Sequence, residues 1–454
     1  MHGRSISPVP SPRRARQRAR DRIGRDAAIT PDQAGCGPTA RGYPAPAMRS
    51  FLLLASLTAF LAGAADWPKW RGPQGDGISA ERIAPDAWDK EGPKPLWKAK
   101  VGVGFTAATV ADGRVFTLGN VDKSDTTTLW CLDAVTGAVV WKREWPSKLS
   151  PVMYEGGPNS SAVADGGKLF VVIKPALVLC LDAAKGATVW ENDLAALKAD
   201  LTPWGIIGSP IVLGERVVVN YGTAGTALSK STGKLLWTTG TKSPGFNTPA
   251  LAKLKGEPTL MVLATNHLAA IRLSDGKEQW QVPFGQGYFC HSSDPIVKGD
   301  EVFISSADDG GAVVRFTDGK PEQVWKNRQL GTFLATALLI DGHLYGLNSC
   351  DAKGAGAQFR CVDWKTGEVK WSEGNFGSSP GSPVATAGNR VLLLSDKGEL
   401  TVAKVTPEKF ELIRRDQVIG GKCWTPPTLA NGRLYVRNAA GDLVCVEVAA
   451  PRQS

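Results

Sequence analysis

Eleven residues ending at Trp141, CLDAVTGAVVW, come back as CLDAAKGATVW ending at Trp190. Looser versions end at Trp237, Trp280, Trp325 and Trp371, and an orphan KPLW ends at Trp97. Successive tryptophans lie 44, 49, 47, 43, 45 and 46 residues apart. Self-similarity at a fixed period means one supersecondary unit stacked many times, and strand-like units of this length are propeller blades. In five copies a glycine stands four residues before the tryptophan (Gly137, Gly186, Gly233, Gly276 and Gly367); in the sixth, Gly319 stands six before Trp325. A Thr-Gly or Asp-Gly pair between apolar segments is tight-turn chemistry, because glycine accepts positive φ without steric cost. Each copy reads as strand, turn, strand, with the tryptophan in the second strand.

A second pattern fills the gaps: a short apolar strand, a polar turn with glycine, and a β-branched strand, as in TAATVADGRVFTL, GSPIVLGERVVVN and TPPTLANGRLYVR. It occurs eight times. The density of Gly, Val and Thr, with no sustained 3.6-residue period, excludes a helical repeat. Seven hairpins can be completed by the strand that follows: the six tryptophan copies and a degenerate one around Ile413 in FELI. The eighth, 425–437, is followed by DLVCVEV but by no fourth strand, whereas the strand bearing Trp97 has no hairpin before it. The expectation is an all-β, eight-bladed β-propeller of four-stranded antiparallel blades over residues 96–449. Its N-terminal strand completes the C-terminal blade, which closes the ring and removes the edges a linear array would expose. Residues 65–95 are expected to form an N-terminal strap.

The LDxxTGxxxW motif at this spacing resembles the pyrroloquinoline-quinone (PQQ) repeat family of β-propellers over roughly residues 96–448. The opening DWPKWRGPQGDG (66–77) resembles the start of many secreted PQQ-like propellers. The resemblance implies that Trp97, Trp141, Trp190, Trp237, Trp280, Trp325 and Trp371 pack between blades, with the glycine turns receiving them. The best-known members are quinoprotein dehydrogenases and the outer-membrane assembly lipoprotein BamB, so the fold alone does not choose an activity. The dehydrogenases resembled carry a vicinal Cys-Cys pair over the quinone; this sequence has none, and no matching Glu/Asn/Asp set or long lid insertion can be placed in it. No cofactor is expected, and PQQ with Ca²⁺ only under a dehydrogenase reading. Non-catalytic binding or scaffolding is the leading expectation, and carbohydrate or polymer binding a further alternative.

Residues 1–47 are rich in Arg and Pro and read as a disordered or spurious upstream extension. From Met48, MRSFLLLASLTAFLAGAAD has one basic residue, an apolar run and an A-x-A site at 62–64, so 48–64 reads as a cleavable signal peptide. The apolar run is too short to span a bilayer. Leu61-Ala62-Gly63-Ala64 lacks the cysteine of a lipoprotein signal, so no lipid anchor is expected. Ten of the 53 basic residues but three of the 43 acidic ones precede Ala65, which takes the formal +10 down to +3 beyond it. That balance gives no reason to expect nucleic acid. The expectation is a periplasmic or secreted monomer with a protein or cell-envelope partner.

Of eight cysteines, Cys131, Cys180, Cys361 and Cys445 share one repeat column with Ala227, Ala270 and Val313. A column that accepts Ala, Val or Cys wants a small apolar side chain, so these read as buried free thiols. Cys290, Cys350 and Cys423 fall outside it, and one bridge among them is open. There is no paired C-x-x-C and no H-E-x-x-H; the histidines (His2, His267, His291, His343) are scattered, so no metal site is expected. Asp122, Asp125, Asp308 and Asp309 read as solvated loop carboxylates. No G-x-S-x-G elbow is present.

What remains is the loop face, made by the segments that lead into the innermost strands. These carry Trp204, Phe246, Asn247, Tyr288, His291, Phe333, Phe376 and Trp424, none of them in the docking column. Two readings stand side by side: a surface for a partner or planar ligand, or rings that plug the channel and pack on their own loops.

Overall fold

The computed structural model describes residues 65–448 except 153, 286–290, 318–319, 351–355 and 375. The extension, the signal-like segment, Tyr288, Cys290 and Gly319 lie outside the described residues.

The described residues form eight four-stranded antiparallel sheets. Seven are consecutive in sequence, at 109–146, 163–193, 211–238, 250–283, 296–327, 338–373 and 384–417. The eighth joins three strands at 428–447 to β1 (Pro95–Lys100), with Trp97 opposite Cys445. The protein is an eight-bladed β-propeller closed by its N-terminal strand. The two middle strands of each blade are sandwiched between neighbouring sheets, so both their faces are apolar: Lys168–Ile173 and Leu177–Asp182 are buried almost throughout. The outermost strand faces widening gaps and keeps one deeply buried residue, the tryptophan, as in Thr188–Asp193.

That tryptophan reaches the next blade. A Cβ on Gly137 would lie 2.6 Å from the Trp97 ring, and one on Gly233 would lie 2.5 Å from Trp190. Both glycines hold positive φ, so no other residue fits their turns. Gly186, Gly276 and Gly367 meet Trp141, Trp237 and Trp325 in the same way. Each indole N–H then donates to a carbonyl of the turn it sits on: Trp190 to Lys230 at 2.8 Å, Trp237 to Leu273 at 3.0 Å. Trp280 departs from this. Its Nε1 has no acceptor among the described residues, and the turn after Phe316, against which it packs, is the one with two extra residues. Trp371 has no glycine turn ahead of it and donates instead to Thr406 O.

In blade seven the expected fourth strand around Ile413 runs over Phe410–Gln417, and its register fixes which residue takes the tryptophan's place. Val402 pairs with Arg414, and the ladder bulges past Ile413 to set Ala403 against Leu412. In blade one the same bulge sets Cys131 against Trp141 and Leu132 against Val139. Arg414 therefore occupies the docking position. Its planar guanidinium stacks over Trp88 at 5.4 Å, binds Asp416 through two bonds of 2.7 Å, and donates to the carbonyls of Pro85 and Asp89. Gly92, with positive φ, packs on Asp416 as the other glycines pack on tryptophan. The eighth blade has no covalent turn between its last two strands, and strap residues 84–94 fill that place.

The small-residue column lies directly opposite the docking residue in every blade. Its thiols are free and buried. Burial holds them protonated, pushing Cys131 and Cys445 up to about 12 and Cys180 and Cys361 to about 11. Cys423 is also a free, buried thiol.

Candidate functional site

Two residues before each innermost strand the chain repeats a small polar residue: Ser161, Ser209, Thr248, Asp294, Thr336 and Ser382 in blades two to seven. These form a girdle around the channel. The backbone N–H of each of the first five donates to the side chain of the next blade: Ser161 to Ser209 at 3.0 Å, Ser209 to Thr248 at 3.0 Å, Thr248 to Asp294 at 2.7 Å, Asp294 to Thr336 at 2.9 Å, and Thr336 to Ser382 at 2.9 Å. Pro426 and Ala107 hold the position in blades eight and one, where no hydroxyl is present. There buried Arg437 bridges the seam, donating to Thr106, Thr117 and Leu118. With no acidic partner it is pushed down to about 9 by burial.

Above the girdle the lead-in loops of six blades each contribute one ring: Phe105, Tyr154, Trp204, Phe246, Phe333 and Trp424. Five of them form a chain in which Trp424–Phe105, Phe105–Tyr154, Tyr154–Trp204 and Trp204–Phe246 centroids lie 5.5, 5.2, 6.4 and 5.5 Å apart. They enclose a cup of about 360 Å³, toward the lower end of the roughly 300–1,000 Å³ found for small-molecule sites.

The strap closes the cup from the other side. Trp67 pairs with Val110 of blade one, Ser79 with Ala385 of blade seven, and Glu81 accepts from Asn431 and Gly432 of blade eight. Between these anchors Trp70 reaches the girdle and donates its indole N–H to Asp294 Oδ2 at 2.7 Å. Arg71, also buried, donates to the carbonyls of Thr336 and Ala337. Among the described residues, Asp294 is the one charged residue lining the cup. Burial raises its pKa above the ordinary carboxylate range, against the opposing pull of Arg71 and the bonds from Thr248 and Trp70.

Of the residues singled out in the sequence, Trp204, Phe246, Phe333 and Trp424 line the cup. Asn247 and His291 lie behind its wall: Asn247 is fully buried and donates to Leu263 O and His291 O. Burial lowers the His291 pKa below its usual value. Phe376 is buried among Phe359 and Phe410. Phe105, Tyr154, Trp70 and Asp294 were not singled out. Asp294 had a visible signal, since SSDPIV puts an acid where GSPIV and GSPVA have serine. Trp70 had none, because nothing local says that the strap threads the channel.

Two lysines border the cup without lining it. Lys422 lies over the Trp424 ring at 4.5 Å and is paired with Glu155 at 2.8 Å. Lys174 is buried behind Tyr154, 3.3 Å from its hydroxyl, and burial takes it down to about 8. No group of three or more His, Cys, Asp or Glu able to hold a metal occurs among the described residues. No helix among them is long and apolar enough to cross a membrane.

An eight-bladed propeller with Trp–Gly docking and an aromatic channel mouth defines a structural class, and the comparisons agree. The family model described as outer membrane protein assembly factor BamB matches residues 86–161 and 131–373, so the chain belongs to this family of PQQ-like propellers. No curated protein matches the sequence. Among solved structures, BamB from Moraxella catarrhalis is similar at TM-score 0.58 and 16% identity, over 78% of this chain and 99% of that one. Quinohemoprotein alcohol dehydrogenase from Comamonas testosteroni is similar at TM-score 0.64 and 14% identity, over 86% and 81%. A computationally designed protein reaches TM-score 0.55 at 14% identity, over 79% and 100%. At these identities the likeness is one of fold.

Proposed function

We propose that this chain is an extracytoplasmic, non-catalytic binding or scaffold protein whose working surface is the loop face, with the aromatic cup as its anchor point. The observation that carries this reading is the cup itself: six rings from six blades, lying off the docking column, around a cavity whose one charged lining residue among those described is a carboxylate. The family description adds a precedent for protein partners, and the signal-like segment at 48–64 supports export. The partner is a protein or a component of the cell envelope, and the binding unit is a monomer.

The dehydrogenase reading draws on the fold shared with the Comamonas enzyme. PQQ is a planar anion that needs cationic donors for its carboxylates. Among the described residues the cup's lining contains no Lys or Arg and places a carboxylate at the floor, so these residues do not fit that group. The thiols near the channel are buried and protonated rather than poised for redox work: Cys423 is pushed up to about 12.

The test is capture from an envelope fraction by the wild-type chain, by Trp204→Ala/Trp424→Ala and by Trp237→Ala, with the captured species identified by mass spectrometry. The reading expects the loop-face variant to lose the partner while keeping its fold. Equal capture by the loop-face variant, or PQQ retained stoichiometrically with turnover of an alcohol, would overturn it.

A further inference from the structure

The directional polar groups of the cup wall are already committed to the propeller. Ser209 and Thr248 hydroxyls accept from neighbouring blades, the Asn159 amide donates to the Tyr154 hydroxyl, and the Trp204 indole N–H donates to Val152 O. A sugar or another polyol would find few free donors and acceptors there. What the wall offers a ligand is π-surface on several sides and the Asp294 carboxylate below, its charge partly offset by buried Arg71, and those two features recognise a cation without directional hydrogen bonds.

The girdle strengthens this. Five of its six positions hold a hydroxyl, which accepts the neighbouring N–H without carrying charge. Asp294 accepts the same bond from Thr248 at 2.7 Å through Oδ1, a bond that a serine or threonine would also take. The acid does more than the repeat requires: its Oδ2 also takes the Trp70 indole N–H at 2.7 Å and its charge faces buried Arg71. It also bears a burial cost that a hydroxyl avoids, and it lies where the cup, not the blade interior, meets it. The rings already hold ammonium groups on their outer sides: the Lys422 head group sits 4.5 Å from the Trp424 centroid and Lys174 lies 5.8 Å from that of Tyr154.

We propose that the cup binds a small organic cation, a quaternary or alkylated ammonium group, seated among Trp204, Phe105, Tyr154 and Trp424 above the Asp294 carboxylate. This rests on the reading of the cup as the working surface and names its ligand class. Lys174, buried behind Tyr154 and paired with no carboxylate, opposes such a cation and sets an upper limit on its affinity.

The test uses choline and its neutral isostere 3,3-dimethylbutan-1-ol, titrated into the exported chain by calorimetry and indole fluorescence. Choline is expected to bind at least about tenfold more tightly than the isostere. Asp294→Asn should remove most of that preference, and Lys174→Met, which changes no lining residue, should tighten choline several-fold while leaving the isostere unchanged. Trp204→Ala should weaken both. Should Asp294→Asn fail to fold, the choline–isostere ratio in the wild-type chain and the Lys174→Met shift still decide. Equal binding of the two ligands, no choline binding, or a Lys174→Met variant indifferent to charge overturns the proposal. If choline fails while Trp204→Ala/Trp424→Ala still abolishes partner capture, the ligand class alone falls. If capture is unaffected too, the cup is not the working surface.

Discussion

The rim and the mouth of this propeller use tryptophan for opposite purposes. At the rim, Trp237 is 7% exposed, bonded to the Leu273 carbonyl and pressed on Gly276. At the mouth, Trp204 has its N–H satisfied by Val152 but leaves ring surface open to the cup. The rim tryptophan completes a contact that recurs blade after blade; the mouth tryptophan lies outside that column, its ring against Tyr154 and Phe246 and open to the cup. A place in the repeat column marks blade docking, whereas outside it the surroundings decide, as Phe376, buried against Phe359 and Phe410, shows.

The harshest way to break the rim is to remove residues 66–100. This strips the eighth blade of its outer strand, Arg414 of its partners and the cup of its floor. Aggregation, or loss of a cooperative unfolding transition, is the expected outcome, and a soluble, cooperatively melting truncation would refute closure by β1. Next in size are Trp237→Ala and Trp97→Ala, each expected to cost about 3–5 kcal/mol by denaturant titration. Near-equality of the two would show that the non-covalent blade is docked as firmly as a covalent one.

Arg414→Met tests the odd junction. It abandons the buried Asp416 carboxylate and the strap carbonyls, and about 1–3 kcal/mol is expected. Asp294→Asn is expected to act through pH. Because burial raises the folded-state pKa of Asp294, the native chain holds that proton more tightly than the unfolded chain. Its ionisation destabilises the fold as pH rises through the raised value. The wild type should therefore gain stability relative to Asp294→Asn as pH falls through the window between an ordinary aspartate and the raised value. A difference in melting temperature that is flat with pH would show that Asp294 is not perturbed. The smallest effect on stability belongs to Trp204→Ala/Trp424→Ala, within about 1 kcal/mol of wild type, since half-buried rings leave no sealed cavity behind. A larger loss would mean that these rings are packing after all.

Most of the fold was legible in the sequence because blade docking is a contact at constant sequence separation: a tryptophan, a glycine turn and a small residue recur together, and counting them gives both blade number and closure. Four cup rings were legible for the complementary reason, that they break the pattern. The register at Arg414 was not, because a bulge shifts the pairing and an arginine matches no tryptophan column. Besides Asp416, its partners lie more than three hundred residues away in the strap.

The sequence by itself determined the repeat, the ring and the division of tryptophans between rim and mouth, since each follows from spacing along the chain. Only the tertiary structure decided that Trp70 floors the channel, that Asp294 meets it there, and that Phe105 and Tyr154 complete the wall. Those contacts join residues of different blades and of the strap, and their distances are set by closure of eight blades around a common axis rather than by any local pattern.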